Sequence, residues 1–166
     1  MAIMQKITPC LWFDNQAEEA ARFYVSVFKN SGIGTITHYG KEGFEIHGGR
    51  EGSVMTVSFT LEGQEFTALN GGPAFKFTEA TSFVVQCETQ AEIDYYWDRL
   101  GEGGDVKAQQ CGWLKDKYGV SWQIVPAGLL QMMANIEPRK SERVMMALLQ
   151  MTKLDLEVLD RARDAT

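Results

Sequence analysis

The chain has two histidines, His38 and His47, and both fall in the glycine-rich, charged stretch that precedes the apolar run at 53–61. With Glu42, Glu45 and Glu51 they bring imidazole and carboxylate together, the ligand types that a divalent metal prefers. The same stretch, "GKEGFEIHGGREG", also reads as a solvated loop or hairpin, and surface histidines are expected there. Cys111 heads "CGWLKD" at a strand start, where a thiol could serve as a nucleophile on a cavity wall. No histidine is placed beside it to make the thiolate, so a buried, inert thiol is expected. Asn70 opens "NGGP", from which it could orient a substrate carbonyl. The glycines and Pro73 supply turn chemistry by themselves, so the motif reads first as a seam between two modules and second as the lip of a site. No Ser/His/Asp arrangement follows from the spacing.

The elements that must position these residues repeat. One offset of 74 residues sets Gln16-Ala17-Glu18 on Gln90-Ala91-Glu92, Thr8 on Ser82 and Phe23 on Trp97. Each copy reads as a strand followed by a helix. Asn15 with Glu18, and Thr89 with Glu92, have the spacing of a capping box, in which side chains satisfy N–H groups left free at a helix start. Ala17, Ala20, Ala21, Tyr24 and Phe28 recur at helical spacing, as do Ile93, Trp97 and Leu100. Strands follow: "SVMTVSFTL" alternates with period two and turns at Glu62-Gly63 into "QEFTAL", a hairpin. The second copy gives a short strand near 112–114, a turn at 115–119 and "VSWQIV". Both halves read as βαβββ, with a strand at about 35–39 in the first, and Pro9 marks an edge or a bulge. The modules span about 5–72 and 78–126. Residues 127–166 read as one to three helices, with Ser141 a cap, Leu154, Val158 and Ala162 on one face, and methionines filling core or interface.

The 166 residues suffice for one domain or two small modules, and 45% hydrophobic with 23% charged content is that of a globular chain. A net charge of −6 without a basic run argues against nucleic acid or a membrane surface as partner. No run is long enough to span a bilayer, and no signal peptide is evident. Three widely spaced cysteines, Cys10, Cys87 and Cys111, without CxxC, fit reduced thiols and a cytoplasmic location.

"WFDNQAEEAARFYVSVFKNS" (12–31), "FTALNGGPAFKFTEATSFVVQCETQAEIDYYW" (66–97) and "CGWLKDKYGVSWQIVP" (111–126) resemble the PhnB-like branch of the vicinal oxygen chelate superfamily. That branch carries the label 3-demethylubiquinone-9 3-methyltransferase, and the superfamily includes glyoxalase I, extradiol dioxygenases and fosfomycin-resistance proteins. The resemblance implies an α+β fold in which two βαβββ modules curl their sheets around a cavity, with the C-terminal helices added. Metal-dependent members place one ligand on the first strand and one on the last strand of each module. By local spacing those positions fall at Thr8, Ser82 and Gln123, with Thr67 the polar candidate for the fourth. Hydroxyls and an amide bind divalent metals weakly, so no metal and no cofactor are expected. "GIG" (32–34) and "LGEGGD" (100–105) follow helices rather than strands, which disfavours a nucleotide-type methyl-donor site. The leading expectation is metal-independent binding of a small organic molecule by Thr8, Thr67, Ser82 and Gln123, with Asn70 and Cys111 as further cavity candidates. Two alternatives are a glyoxalase-type lyase or isomerase with an unusually supplied metal, and a regulatory or structural dimer with a packed cavity. A homodimer is expected in each case.

Overall fold

The computed structural model describes residues 4–166. The chain divides between Phe77 and Thr78 into two compact units, just after the Asn70–Pro73 turn. The first unit runs β1 (Cys10–Phe13), α1 (Ala17–Val27), β2 (Gly32–His38), the single-turn α2 (Phe44–His47), β3 (Val54–Leu61) and β4 (Gln64–Asn70). Its sheet order is β1-β4-β3-β2, with β1 parallel to β4 and the other pairs antiparallel. The alternation of β3 explains the layering. Val57, Phe59 and Leu61 are buried, as are Ala17, Ala20, Ala21, Tyr24 and Val27 of α1. The Tyr24 ring stacks on Phe59 at 6.3 Å and Phe59 on Phe66 at 5.4 Å. Each such aliphatic or aromatic side chain, fully buried, contributes about 1.5–3 kcal/mol. Glu62 and Gly63 both take positive φ (48° and 78°), the geometry that a tight two-residue hairpin needs. Pro9 precedes β1, an edge strand, and its carbonyl accepts from Thr67 N at 2.9 Å.

The second unit runs β5 (Ser82–Cys87), α3 (Gln90–Gly101), β6 (Trp113–Lys115) and β7 (Ser121–Pro126), then α4 (Leu129–Asn135), α5 (Pro138–Leu149) and α6 (Leu156–Asp164). Its sheet order is β5-β7-β6, with β5 parallel to β7. The first strands of both units thus pair in parallel with the last, as the repeat requires. One strand expected here is missing. Between α3 and β6 the chain forms a 3-10 turn (Val106–Ala108) and an isolated bridge from Gln110 to Trp113. Asp105 closes that turn by accepting from Lys107 N, and Gly103 and Gly104 give a strand little to pack.

The helix starts differ from expectation in instructive ways. Thr89 accepts from Glu92 N at 3.2 Å, so the side-chain cap forms, while the Glu92 carboxylate returns to Glu88 N at 2.6 Å, one residue before the cap. The Asn15–Glu18 cap does not form. The α1 N-cap is Gln16 without a side-chain bond, and Asn70 Oδ1 instead accepts from Ala17 N at 2.8 Å. Ser141 lies inside α5, which starts at Pro138 after Glu137, because proline suits the first helical position. In α6, Asp155 is the cap, Val158 is exposed and Leu159 is buried. Leu154 before the cap and Leu159 in the first turn form a hydrophobic staple, which moves the buried face by one residue.

Residues 127–166 fold as part of the second unit. Leu129, Val144, Leu154 and Leu159 form a buried cluster against Val125, Met132, Met133 and Met151, whereas Met145 and Met146 are exposed. Cys111 N and Gly112 N donate to Met151 O (2.9 Å) and Thr152 O (2.8 Å). The Gln90 carboxamide donates to Leu154 O at 3.1 Å and accepts from Leu156 N at 2.9 Å. Among the described residues, no helix is long and apolar enough to cross a membrane.

Candidate functional site

Each sheet packs its own helix on one face and leaves the other, open face free of it, while on the second sheet the C-terminal cluster reaches that face at Val125 and Ser121 is buried there. On the first sheet the period of two places Cys10, Trp12, Thr56, Ser58, Thr60, Thr67 and Leu69 on the open face. Thr67 pairs in register with Cys10 and is half-buried; Thr8, two residues before Cys10, is exposed. On the second sheet the open face carries Ser82, Val84, Trp113, Lys115, Ser121, Gln123 and Val125. Val84 pairs with Gln123 as Cys10 pairs with Thr67, so Gln123 and Thr67 hold equivalent register positions. Gln123 Nε2 donates to Ser82 Oγ at 2.9 Å. Of the four carried-over positions, Thr8 and Thr67 fall in the first unit and Ser82 and Gln123 in the second, where the two side chains touch.

Two residues on this second face, Ser121 and Lys115, were not singled out by sequence. Ser121 pairs in register with Ser82 on one side and with Lys115 on the other. It is 2% exposed, and its Oγ has no hydrogen-bond partner. Lys115 forms an ion pair with Glu79, and that bond holds the Glu79 carboxyl below its usual range. Trp113 pairs with Gln123. The signal was present in "VSWQIV", since Ser121 stands two residues before Gln123, but a serine in a strand reads as filler. Trp122 points the other way, as its neighbour Gln123 implies. It is buried and donates to the buried Asp116 at 2.9 Å, whose other oxygen accepts from Tyr118 N and Val120 N.

Asn70 lines an open cleft of about 780 Å³ in the first unit, with Tyr39, His47, Arg50, Gly71 and Pro73 among its walls. Its side chain is committed elsewhere: Oδ1 accepts from Ala17 N and Nδ2 donates to Val54 O at 3.1 Å. The Tyr39 hydroxyl donates to its carbonyl. Gly71 has no room for a side chain, because a Cβ there would lie 2.3 Å from the Trp12 ring, and Trp12 Nε1 donates to Gly72 O at 2.9 Å. "NGGP" is therefore a clamp that joins α1, β1 and β3 as well as a cleft wall.

His38 is exposed at the end of β2, but His47 is not a free surface histidine. Its ring stacks on Tyr39 at 4.5 Å, Nδ1 accepts from Gly49 N at 2.9 Å, and Nε2 reaches Glu42 O at 3.0 Å. Cys111, half-buried with φ 53°, directs its thiol at Leu149 O, 3.8 Å away, in the junction with the C-terminal helices. It does not stand on the open sheet face. Cys87 is buried, and burial, then the nearby Glu92 charge, pushes its thiol up to about 11.

A metal of the kind the superfamily uses does not fit these positions. Thr8, Thr67, Ser82 and Gln123 are all neutral donors. Among the described residues, no group of three or more His, Cys, Asp or Glu could hold a metal ion.

The family model described as 3-demethylubiquinone-9 3-methyltransferase matches residues 5–125. The PhnB protein of Bacillus cereus is 42% identical with a TM-score of 0.64, over 74% of this chain and 100% of that one. PA1353 of Pseudomonas aeruginosa is 17% identical with a TM-score of 0.58, over 74% of this chain and 98% of that one. The fosfomycin resistance protein FosX of Mesorhizobium loti is 14% identical with a TM-score of 0.54, over 80% and 99%. The last two show a shared fold alone, that of the glyoxalase/bleomycin-resistance type. No curated protein matches the sequence.

Proposed function

The chain belongs to the 3-demethylubiquinone-9 3-methyltransferase family, within the vicinal oxygen chelate superfamily, and from that membership we propose a metal-independent binder of a small organic molecule. The observation that carries the reading is the Ser82–Gln123 hydrogen bond on an open sheet face. A hydroxyl and a carboxamide both donate and accept, so together they suit a neutral or anionic ligand without a cation between. The equivalent register position in the first unit, Thr67, offers the same kind of chemistry. Thr8 stands two residues before the strand that pairs with it.

Methyl transfer finds little support in the chain. A nucleotide-type donor is held by a glycine-rich turn from a strand into a helix. Of the strand-to-helix turns, 14–16 and 88–89 hold no glycine, 127–128 holds Gly128 alone, and 39–43, with Gly40 and Gly43, enters only the single-turn α2. A metal supplied from the histidine loop is also disfavoured, since both His47 nitrogens are engaged.

The test is mass spectrometry of small molecules released on denaturing the purified protein. The expected result is an organic species that accompanies the wild type and is absent from Gln123→Ala. A transition metal that is bound tightly and lost in Gln123→Ala would overturn the reading.

A further inference from the structure

Ser121 Oγ is the one buried side-chain oxygen or nitrogen without a hydrogen-bond partner among the described residues. Such groups are rare because desolvation without a bond is costly, so a missing partner is a specific question. The hydroxyl is sealed, so a ligand reaches it only with a movement of what covers it. The register places Ser82 on one side and Lys115 on the other. Ser82 is held by Gln123, while the Lys115 side chain, 25% exposed, is drawn to a carboxylate on the linker before β5, that of Glu79. Trp113 and Val84 flank Gln123 on the same face, and Val84 is 53% exposed, so a flat apolar surface adjoins the polar group.

We propose that this face of the second unit receives a small carboxylate with a planar apolar body, and that Glu79 is an internal stand-in for the ligand's carboxylate. The inference rests on the small-molecule reading above and names the ligand class. In the resting arrangement Glu79 holds Lys115, and Ser121 stays unbonded beneath. An incoming carboxylate displaces Glu79, takes a charge-assisted bond from Lys115 Nζ and accepts the Ser121 O–H, while its apolar body lies beside Trp113 and Val84. Both groups are then satisfied at once, which Glu79 alone does not achieve.

Benzoate, with benzamide as its uncharged counterpart, tests this on the full-length protein. Binding is followed by NMR at the Trp113 indole N–H, identified by its loss in Trp113→Phe. A latch closed about nine-tenths of the time weakens apparent affinity about tenfold, so Glu79→Gln should tighten benzoate binding by roughly that factor. Adding Ser121→Ala, or Lys115→Gln, to that variant should cancel the gain, and benzamide should respond to none of these changes. Equal binding of benzoate and benzamide would overturn the inference, as would tightening that survives Ser121→Ala or a lack of benzoate binding in every variant. Equal binding lost in Gln123→Ala would leave the small-molecule reading standing, whereas a stoichiometric metal in the same preparations would remove that reading itself.

Discussion

Ser121 and Asn70 show how differently two small polar side chains serve one fold. The Ser121 hydroxyl is buried and unbonded, so Ser121→Ala removes a desolvated group rather than a hydrogen bond. It should stabilise the ligand-free protein by about 1 kcal/mol, a rise in melting temperature of about 2–4 °C. A fall would show that the hydroxyl has a partner after all. Asn70 is the opposite case. Its carboxamide satisfies the first N–H of α1 and a carbonyl of β3, so Asn70→Ala should cost about 1–2 kcal/mol by denaturant titration. The thiols divide by burial: iodoacetamide should label Cys10 in the folded state and spare Cys87, whose burial disfavours the thiolate. Gln123 entered as a position carried over from the family resemblance, and the structure adds that its carboxamide bonds Ser82. The Asn70 bonds were not legible in the sequence, because a side chain that caps a helix 53 residues away leaves no local pattern.

Elements were legible where periodicity was strong. The alternation of 53–61 and the helical spacing behind Ala17 and Ile93 each gave the observed element within a residue or two. What failed was local chemistry overridden by distant contacts. Asn15 reads as a cap but is displaced by Asn70, and Val158 reads as core but yields to Leu159 once Asp155 fixes the helix start. The absent strand after α3 had its warning in Gly103 and Gly104, which a repeat-based expectation overruled. The Thr89 hydroxyl caps α3 by accepting from Glu92 N, so Thr89→Ala should lower stability by about 1 kcal/mol, with Thr89→Ser retaining most of it. Residues 127–166 bury Val125 and bond the 111–112 backbone. Ending the chain at Ala127 should therefore unfold the second unit's sheet edge, read as loss of amide protection at Gly112 and Ile124. Unchanged protection would show that the extension is only appended.

For the molecule as a whole, the duplicated fold was visible from the 74-residue offset, and both units keep a first strand parallel to the last. Function was less legible, since the neutral residues at the carried-over positions carry no chemistry specific to one substrate. We propose a homodimer, because Phe75, Met146 and Leu149 leave apolar surface exposed on the chain. Sedimentation at micromolar concentration should then show twice 18.6 kDa, and a species of 18.6 kDa alone would refute it. The central claim is that this member works without a metal, since Thr8, Thr67, Ser82 and Gln123 offer no anionic or imidazole donor. Elemental analysis of protein purified without chelator, paired with melting in EDTA, addresses it most directly. The account predicts zinc, nickel, iron and manganese well below one per chain and an unchanged melting temperature. One equivalent of a transition metal whose removal by EDTA lowers the melting temperature would contradict it.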